Sequence, residues 1–151
     1  MSGSASHARH ELPELRPLLS TSVAAKDVRG ASVLIYSECL RHEWPELLAQ
    51  QAEGRVALSV CLEREHISHI TAKLATMLVM GRPAQLVVLT VDGSPHCLQV
   101  HFAAEQALRL TGLPVTVKHL VVEKGRLYEV GPDVVRAARH LSEVAALMRK
   151  G

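Results

Sequence analysis

Three cysteines supply the residue type best suited to soft-metal and redox chemistry in this chain. Cys39, Cys61 and Cys97 lie too far apart in sequence to form the short pairs of a zinc ribbon or a ferredoxin run. Each follows an apolar, β-branched segment and is therefore predicted to lie at or just beyond the end of a strand. Because the carboxyl ends of parallel strands meet at one edge of a sheet, we expect the three thiols to converge there.

The segment around Cys97 is the most informative. Residues 92–93 are Asp-Gly and predict a tight turn, Ser94 is a good N-cap, and Pro95 suits the first helical position. Cys97 would then lie in the first helical turn, where free N–H groups and the helix dipole favour a thiolate. His101 follows four residues later and is predicted to share its helix face.

The favoured hypothesis is a metal or iron–sulfur cluster binding protein. Cys39, Cys61 and Cys97 would be ligands, with His101, water or substrate at a fourth position. Thiolate ligands favour an iron–sulfur cluster, for example of the 4Fe-4S type, or alternatively zinc or copper(I). Such a site would serve redox or sulfur chemistry, and the sequence leaves open whether the protein is an enzyme.

Two alternatives remain open. In the first, no cofactor is needed: Cys97 is the catalytic nucleophile, activated by its helix terminus and by His101 or His96, and it attacks a disulfide, a persulfide or an acyl group. Cys39 or Cys61 would be the resolving thiol. In the second, the chain is a small-ligand binding or interaction module, with Ser94 and His96 at the helix N-terminus as candidate cofactor-binding residues.

The remaining histidines are weaker candidates. His66 and His69 are predicted to lie on a solvated helix face. No cluster of polar residues is visible in the sequence around His7, His10, His119 and His140, whereas His42 flanks Cys39 together with Glu38 and Glu43.

Strands and helices alternate along the chain, which predicts an α/β fold in three α/β/α layers. The sheet is expected to have about five strands and to be mostly parallel, with one antiparallel edge strand in the hairpin 115–130. Predicted strands cover 32–36, 55–60, 85–91, 115–122 and 126–130. The last helix is predicted to begin at Pro132 and to bury a stripe made of Val135, Ala138, Leu141, Ala145 and Met148.

The length and composition fit one core. With 151 residues, of which 48% are hydrophobic, we expect a single domain over 31–151. Residues 1–30 mix Ser, Pro and charged residues and are predicted to form a flexible lead with one docking turn. The absence of Asn and the excess of Arg over Lys are compatible with a thermophilic source or with GC-rich coding.

Charge and hydropathy exclude several partners. The net charge is +2, and there are only four aromatic residues, so nucleic-acid binding is disfavoured. No apolar run suggests a signal peptide or a membrane span, and we expect a cytoplasmic protein. The expected partners are a small-molecule substrate or a redox partner protein, and the edge of the hairpin could pair with a second copy in a homo-oligomer.

Overall fold

The computed structural model describes residues 10–150. Its centre is a five-stranded sheet with the order β2-β1-β3-β4-β5. The first four strands are parallel, and β5 is antiparallel to β4. The strands are β1 (Ser32–Ser37), β2 (Val56–Val60), β3 (Gln85–Val91), β4 (Thr116–Glu123) and β5 (Arg126–Val130).

Helices cover the sheet on both faces. They are α1 (Leu40–Glu43), α2 (Pro45–Ala52), α3 (Ile67–Gly81), α4 (Pro95–Thr111), α5 (Pro132–Ala137) and α6 (Leu141–Lys150). The core has two parts, because side chains alternate between the faces of a strand. One part packs α3 and α4 against residues such as Ile35 and Val88, and the other packs α1 and α2 against Leu34 and Val87.

The predicted fold class is confirmed. The sheet is mostly parallel, helices lie on both faces, and the single antiparallel strand comes from the predicted hairpin. The hairpin turns at Lys124 and Gly125, both with positive φ, a backbone that matches the twist of the strands. No helix within residues 10–150 has the length and apolar character that a bilayer crossing requires.

Part of the predicted N-terminal lead packs on the domain. A 3₁₀ turn at Leu18–Ser20 buries Leu18 completely, and Val28 is also in the core. Ser59 N donates to Arg16 O, so the segment runs along the outer edge of β2. Residues 1–9 of this lead lie outside the described part of the chain, and the flexibility of the lead stays a prediction.

The C-terminal prediction of one buried helical stripe was wrong. The chain forms two helices, α5 and α6, separated by a break at 138–140. Val135 is buried, but Leu141 is 80% exposed and Met148 is 76% exposed. The spacing of apolar residues indicated a helical face, but it could not show that Leu141 and Met148 on that face stay exposed.

Gly81 on α3 lies against Val23 and Val28, so a substitution there tests the packing of the N-terminal segment. A Cβ atom there would lie 2.6 Å from Val23 O and 2.9 Å from a Val28 methyl group. Gly81→Ala should therefore lower the free energy of unfolding by about 1–3 kcal/mol, although the same change normally stabilises a helix by roughly 1 kcal/mol. Urea denaturation measures this, with the exposed Ser68→Ala in the same helix as the control; a stabilised Gly81→Ala protein would contradict the packing.

Candidate functional site

The three cysteines approach one another at a crevice in the sheet edge. β1 lies between β2 and β3, and all three strands run in the same direction. The chain leaves β1 toward one face, into α1 and α2, and leaves β3 toward the other face, into α4. A crevice opens between the carboxyl ends of two such strands, and ligands of open α/β sheets bind there.

A cavity of about 120 Å³ occupies this crevice. All three cysteines line it, as the sequence predicted from their positions after three strands. Ser94 and His96 line it as well, so five of the six predicted site residues share one cavity. The remaining wall comes from Ser37, Glu38, Val60, Leu62, Glu63 and Val100.

Cys97 lies in the first turn of α4, as predicted. Ser94 is the N-cap, and its Oγ accepts a hydrogen bond from Cys97 N at 3.2 Å. Ser37 Oγ, at the end of β1, is 3.1 Å from Cys97 Sγ. The Cys97 residue is 8% exposed. The sulfur is therefore shielded from bulk water and surrounded by groups that favour its ionised form.

The thiols of Cys39 and Cys97 form an asymmetric pair. Hydrogen bonding with Cys39 is the largest effect on Cys97, and together with the Ser37 and Ser94 hydroxyls it lowers the pKa of Cys97 to about 5, against the opposing effect of burial. The same interaction and burial raise the pKa of Cys39. The two effects favour negative charge on Cys97 and a proton on Cys39.

Cys61 has a different environment. It follows β2 directly, and its backbone N donates to Glu65 Oε1 at 2.7 Å, which fixes the turn that leads toward α3. Beside it, Glu38 forms an ion pair with Arg64 at 2.7 Å. Cys61 thus lines the cavity but takes no part in the hydrogen bonding that ionises Cys97.

His101 lies away from the thiols. The residue is 2% exposed, with Nε2 2.7 Å from Thr90 Oγ1 and Nδ1 2.8 Å from His119 Nδ1. Both ring nitrogens therefore already have partners on β3 and β4. Burial and the neighbouring His119 lower the pKa of His101 to about 3, which keeps its ring neutral. The structure does not bring His101 to the cavity that holds Cys97.

His119 belongs to a buried polar network that the sequence analysis missed. Its Nε2 is 2.6 Å from Glu105 Oε2, so a chain of hydrogen bonds links Thr90, His101, His119 and Glu105. A hydrogen bond between two Nδ1 atoms requires one proton between them. A sequence signal did exist. His119 shares one face of β4 with Val117 and Val121, and an unpaired imidazole buried among apolar residues would be costly.

The other histidines match their sequence interpretation in part. His66 and His69 are exposed, as predicted, and His66 caps α3 by accepting from Ser68 N. His10 Nδ1 contacts a carboxylate oxygen of Glu53, which the sequence did not suggest. His140 is exposed, and His7 lies outside the described residues.

The predicted metal site has no preformed ligand set within residues 10–150. No group of three or more His, Cys, Asp or Glu side chains there is arranged to hold a metal ion. The three cysteines line one cavity, and the pKa values of Cys39 and Cys97 depend on each other.

Comparison with known families agrees with this topology. The family model of the Rossmann-like domain matches residues 25–150. The chain belongs to the Rossmann-like domain family. No curated protein and no solved structure matches it. The Rossmann-like match begins within the predicted lead, before β1, which agrees with the burial of Val28 in the core.

The neutral state of buried His101 predicts a pH dependence of stability. Because its pKa is lowered on folding, the unfolded chain binds the extra proton between about pH 6.5 and pH 3, and stability falls as pH decreases through that range. Between pH 7 and pH 5 this contributes about 2 kcal/mol of destabilisation. Urea denaturation of the wild type and of His101→Gln at both pH values measures it: the variant should lose about 2 kcal/mol less than the wild type. Equal losses would contradict a neutral His101.

Proposed function

We propose that this protein carries out thiol–disulfide or persulfide exchange in the cytoplasm, with Cys97 as the nucleophile and Cys39 as the resolving thiol. The observation that carries the proposal is geometric: Cys97 lies on the first turn of α4 with its sulfur 3.1 Å from Ser37 Oγ, and Cys39 from the neighbouring strand end lines the same cavity. The lowered pKa of Cys97 and the raised pKa of Cys39 support the assignment of nucleophile and resolving thiol. A thiolate is the attacking species in such exchange, and a protonated second thiol does not compete with it for the substrate.

The reaction conserves atoms and electrons. The Cys97 thiolate attacks one sulfur of a substrate R–S–S–R′, forms the Cys97–S–S–R mixed disulfide and releases R′–S⁻. Cys39 then gives its proton to R′–S⁻ or to solvent, attacks Cys97 Sγ, forms the Cys39–Cys97 disulfide and releases R–S⁻. The substrate gains two electrons and the protein loses two. A dithiol, either small or on a redox partner protein, reverses the two steps and restores the reduced pair.

The surroundings suit a small or slender substrate. The cavity holds about 120 Å³, so a bulky group attached to the attacked sulfur would have to remain outside it. Once Cys97 forms the mixed disulfide, it no longer carries the charge that holds the proton on Cys39. Loss of that charge lowers the pKa of Cys39 and prepares it for the second step.

Reaction with 2-hydroxyethyl disulfide at pH 7 tests this order. Anaerobically reduced wild-type protein should lose two hydrogens and form the Cys39–Cys97 bond, which peptide mass spectrometry detects. Cys39→Ser should stop at the mixed disulfide on Cys97, because the resolving thiol is missing. Cys97→Ser should react at least about tenfold more slowly, because only protonated or unactivated thiols remain.

Cys61→Ser is the matched control, since it removes a thiol that lines the same cavity and has no part in the proposed steps. It should behave as the wild type. Reaction of Cys97→Ser at the wild-type rate, or a first adduct on Cys61, would contradict the proposed roles.

A second candidate is a thiolate site for zinc, copper(I) or an iron–sulfur cluster. The observation in its favour is that Cys39, Cys61 and Cys97 all line one cavity, and thiolates are the ligands that these soft centres prefer. Cys61 would have to join the Cys39–Cys97 pair, and His101, tied to Thr90 and His119, would not be the fourth ligand. Bound there, such a centre would supply redox or Lewis-acid chemistry.

Cys61 separates the two candidates experimentally. Protein purified without oxygen is analysed for iron, sulfide, zinc and copper, and its visible spectrum is recorded, for the wild type and for each Cys→Ser variant. The dithiol proposal predicts less than about 0.1 metal per chain in all four proteins. Stoichiometric metal in the wild type that is lost in each of the three variants would contradict the dithiol proposal and support the metal site.

A further inference from the structure

A second and larger cavity lies at the same sheet edge, away from the cysteines. It has a volume of about 450 Å³, within the range of small-molecule sites. β4, β5, α4 and α5 form its walls, which are mostly apolar and include Leu98, Val121, Val130 and Val134. The cavity therefore has room for the apolar body of a small organic molecule, and the thiol chemistry does not use it.

Two acidic side chains line this cavity, and no Lys or Arg does. Asp92 follows β3 and Glu123 ends β4, and both carboxylates are exposed at the cavity. Neither forms an ion pair within residues 10–150. No Lys or Arg lines the cavity, although the chain as a whole is basic. Arg126 pairs with Glu123 in the β4–β5 ladder but does not line the cavity, so the charges that line the cavity itself favour a cation.

Two aromatic side chains with polar atoms, Tyr128 and His101, also line the cavity. Tyr128 on β5 lines the cavity, and the face of a phenol ring attracts an organic cation. His101 lies at the inner wall, where its bonds to Thr90 and His119 keep both ring nitrogens occupied. A ring held in this way has no free N–H to offer an anion.

An adjoining cavity extends the site toward the N-terminus of α4. It has a volume of about 280 Å³ and shares Asp92, Leu98, His101 and Val121 with the larger one. A helix N-terminus commonly receives a phosphate, but here Asp92 lines both cavities and no Lys or Arg lines either. The charges therefore oppose an anionic ligand along the whole cleft.

We propose that this cleft binds a small organic cation, with its apolar body between α4 and β5 and its ammonium group near Asp92, Glu123 and Tyr128. The inference is independent of the thiol chemistry, because none of the cysteines lines the cleft.

Three probes of similar size and different charge test the proposal on the full chain. They are 2-phenylethylammonium, the neutral 3-phenylpropan-1-ol and the anionic 3-phenylpropanoate. Titration calorimetry gives the Kd values, and ¹⁵N NMR locates binding through the amides of Leu98, Val121 and Val134. None of the probes exchanges with thiols, so failure of the dithiol reaction would not affect this result. The cation should bind at least about tenfold more tightly than the anion, with shifts at these three amides.

Substitutions separate the charge effect from the cavity. Asp92→Asn combined with Glu123→Gln should weaken binding of the cation about fivefold, as expected for exposed charges, and leave the neutral alcohol unchanged. Ala138→Phe should weaken both, because Ala138 lines the cavity and the larger side chain fills it. Glu46→Gln, an exposed carboxylate on α2, is the control and should change neither Kd.

The proposal would be overturned by equal or tighter binding of 3-phenylpropanoate, by an unchanged Kd for the cation in the double variant, or by NMR shifts outside the cleft. Failure of the cation to bind at millimolar concentration would also overturn it.

Discussion

β1 is buried on both faces and hydrogen-bonded along both edges, and this constraint positions the thiol site. A strand in that position must present apolar side chains to two helical layers, which the run from Val33 to Tyr36 does. Its parallel pairing with β2 and β3 brings three carboxyl ends to one edge. Because the helices that follow β1 and β3 cover opposite faces, the ends of these strands separate and leave a crevice.

The chemistry at the crevice depends on a difference between two otherwise similar groups. Cys97 lies at a helix N-terminus with hydroxyl partners, whereas Cys39 follows a strand and lies before the four-residue α1. The helix dipole and the hydrogen bonds therefore stabilise negative charge more strongly on Cys97 than on Cys39. An unequal pair of this kind sets the order of an exchange reaction, since one thiol attacks the substrate and the other then attacks the mixed disulfide.

The same sheet edge carries two unlike environments. The crevice between β1 and β3 is small and lined by sulfur, while the cleft beyond β3 and β4 is larger, apolar and acidic. Ser94 lines both the crevice and the adjoining cavity of the cleft, so the first turn of α4 separates them. The Thr90–His101–His119–Glu105 network holds α4 against β3 and β4, which keeps this turn in position.

Local patterns in the sequence determined the elements and their order. β-branched runs, the Ser94-Pro95 helix start and the Lys124-Gly125 turn depend on interactions within a few residues, so α4 begins where it was predicted. The convergence of Cys39, Cys61 and Cys97 also followed, because parallel strands constrain where their ends lie. Tertiary structure alone decided the partners of His101, since a face shared with Cys97 on α4 does not say which strand that face meets. It also decided that Leu141 and Met148 are exposed, because periodicity defines a face and not what covers it.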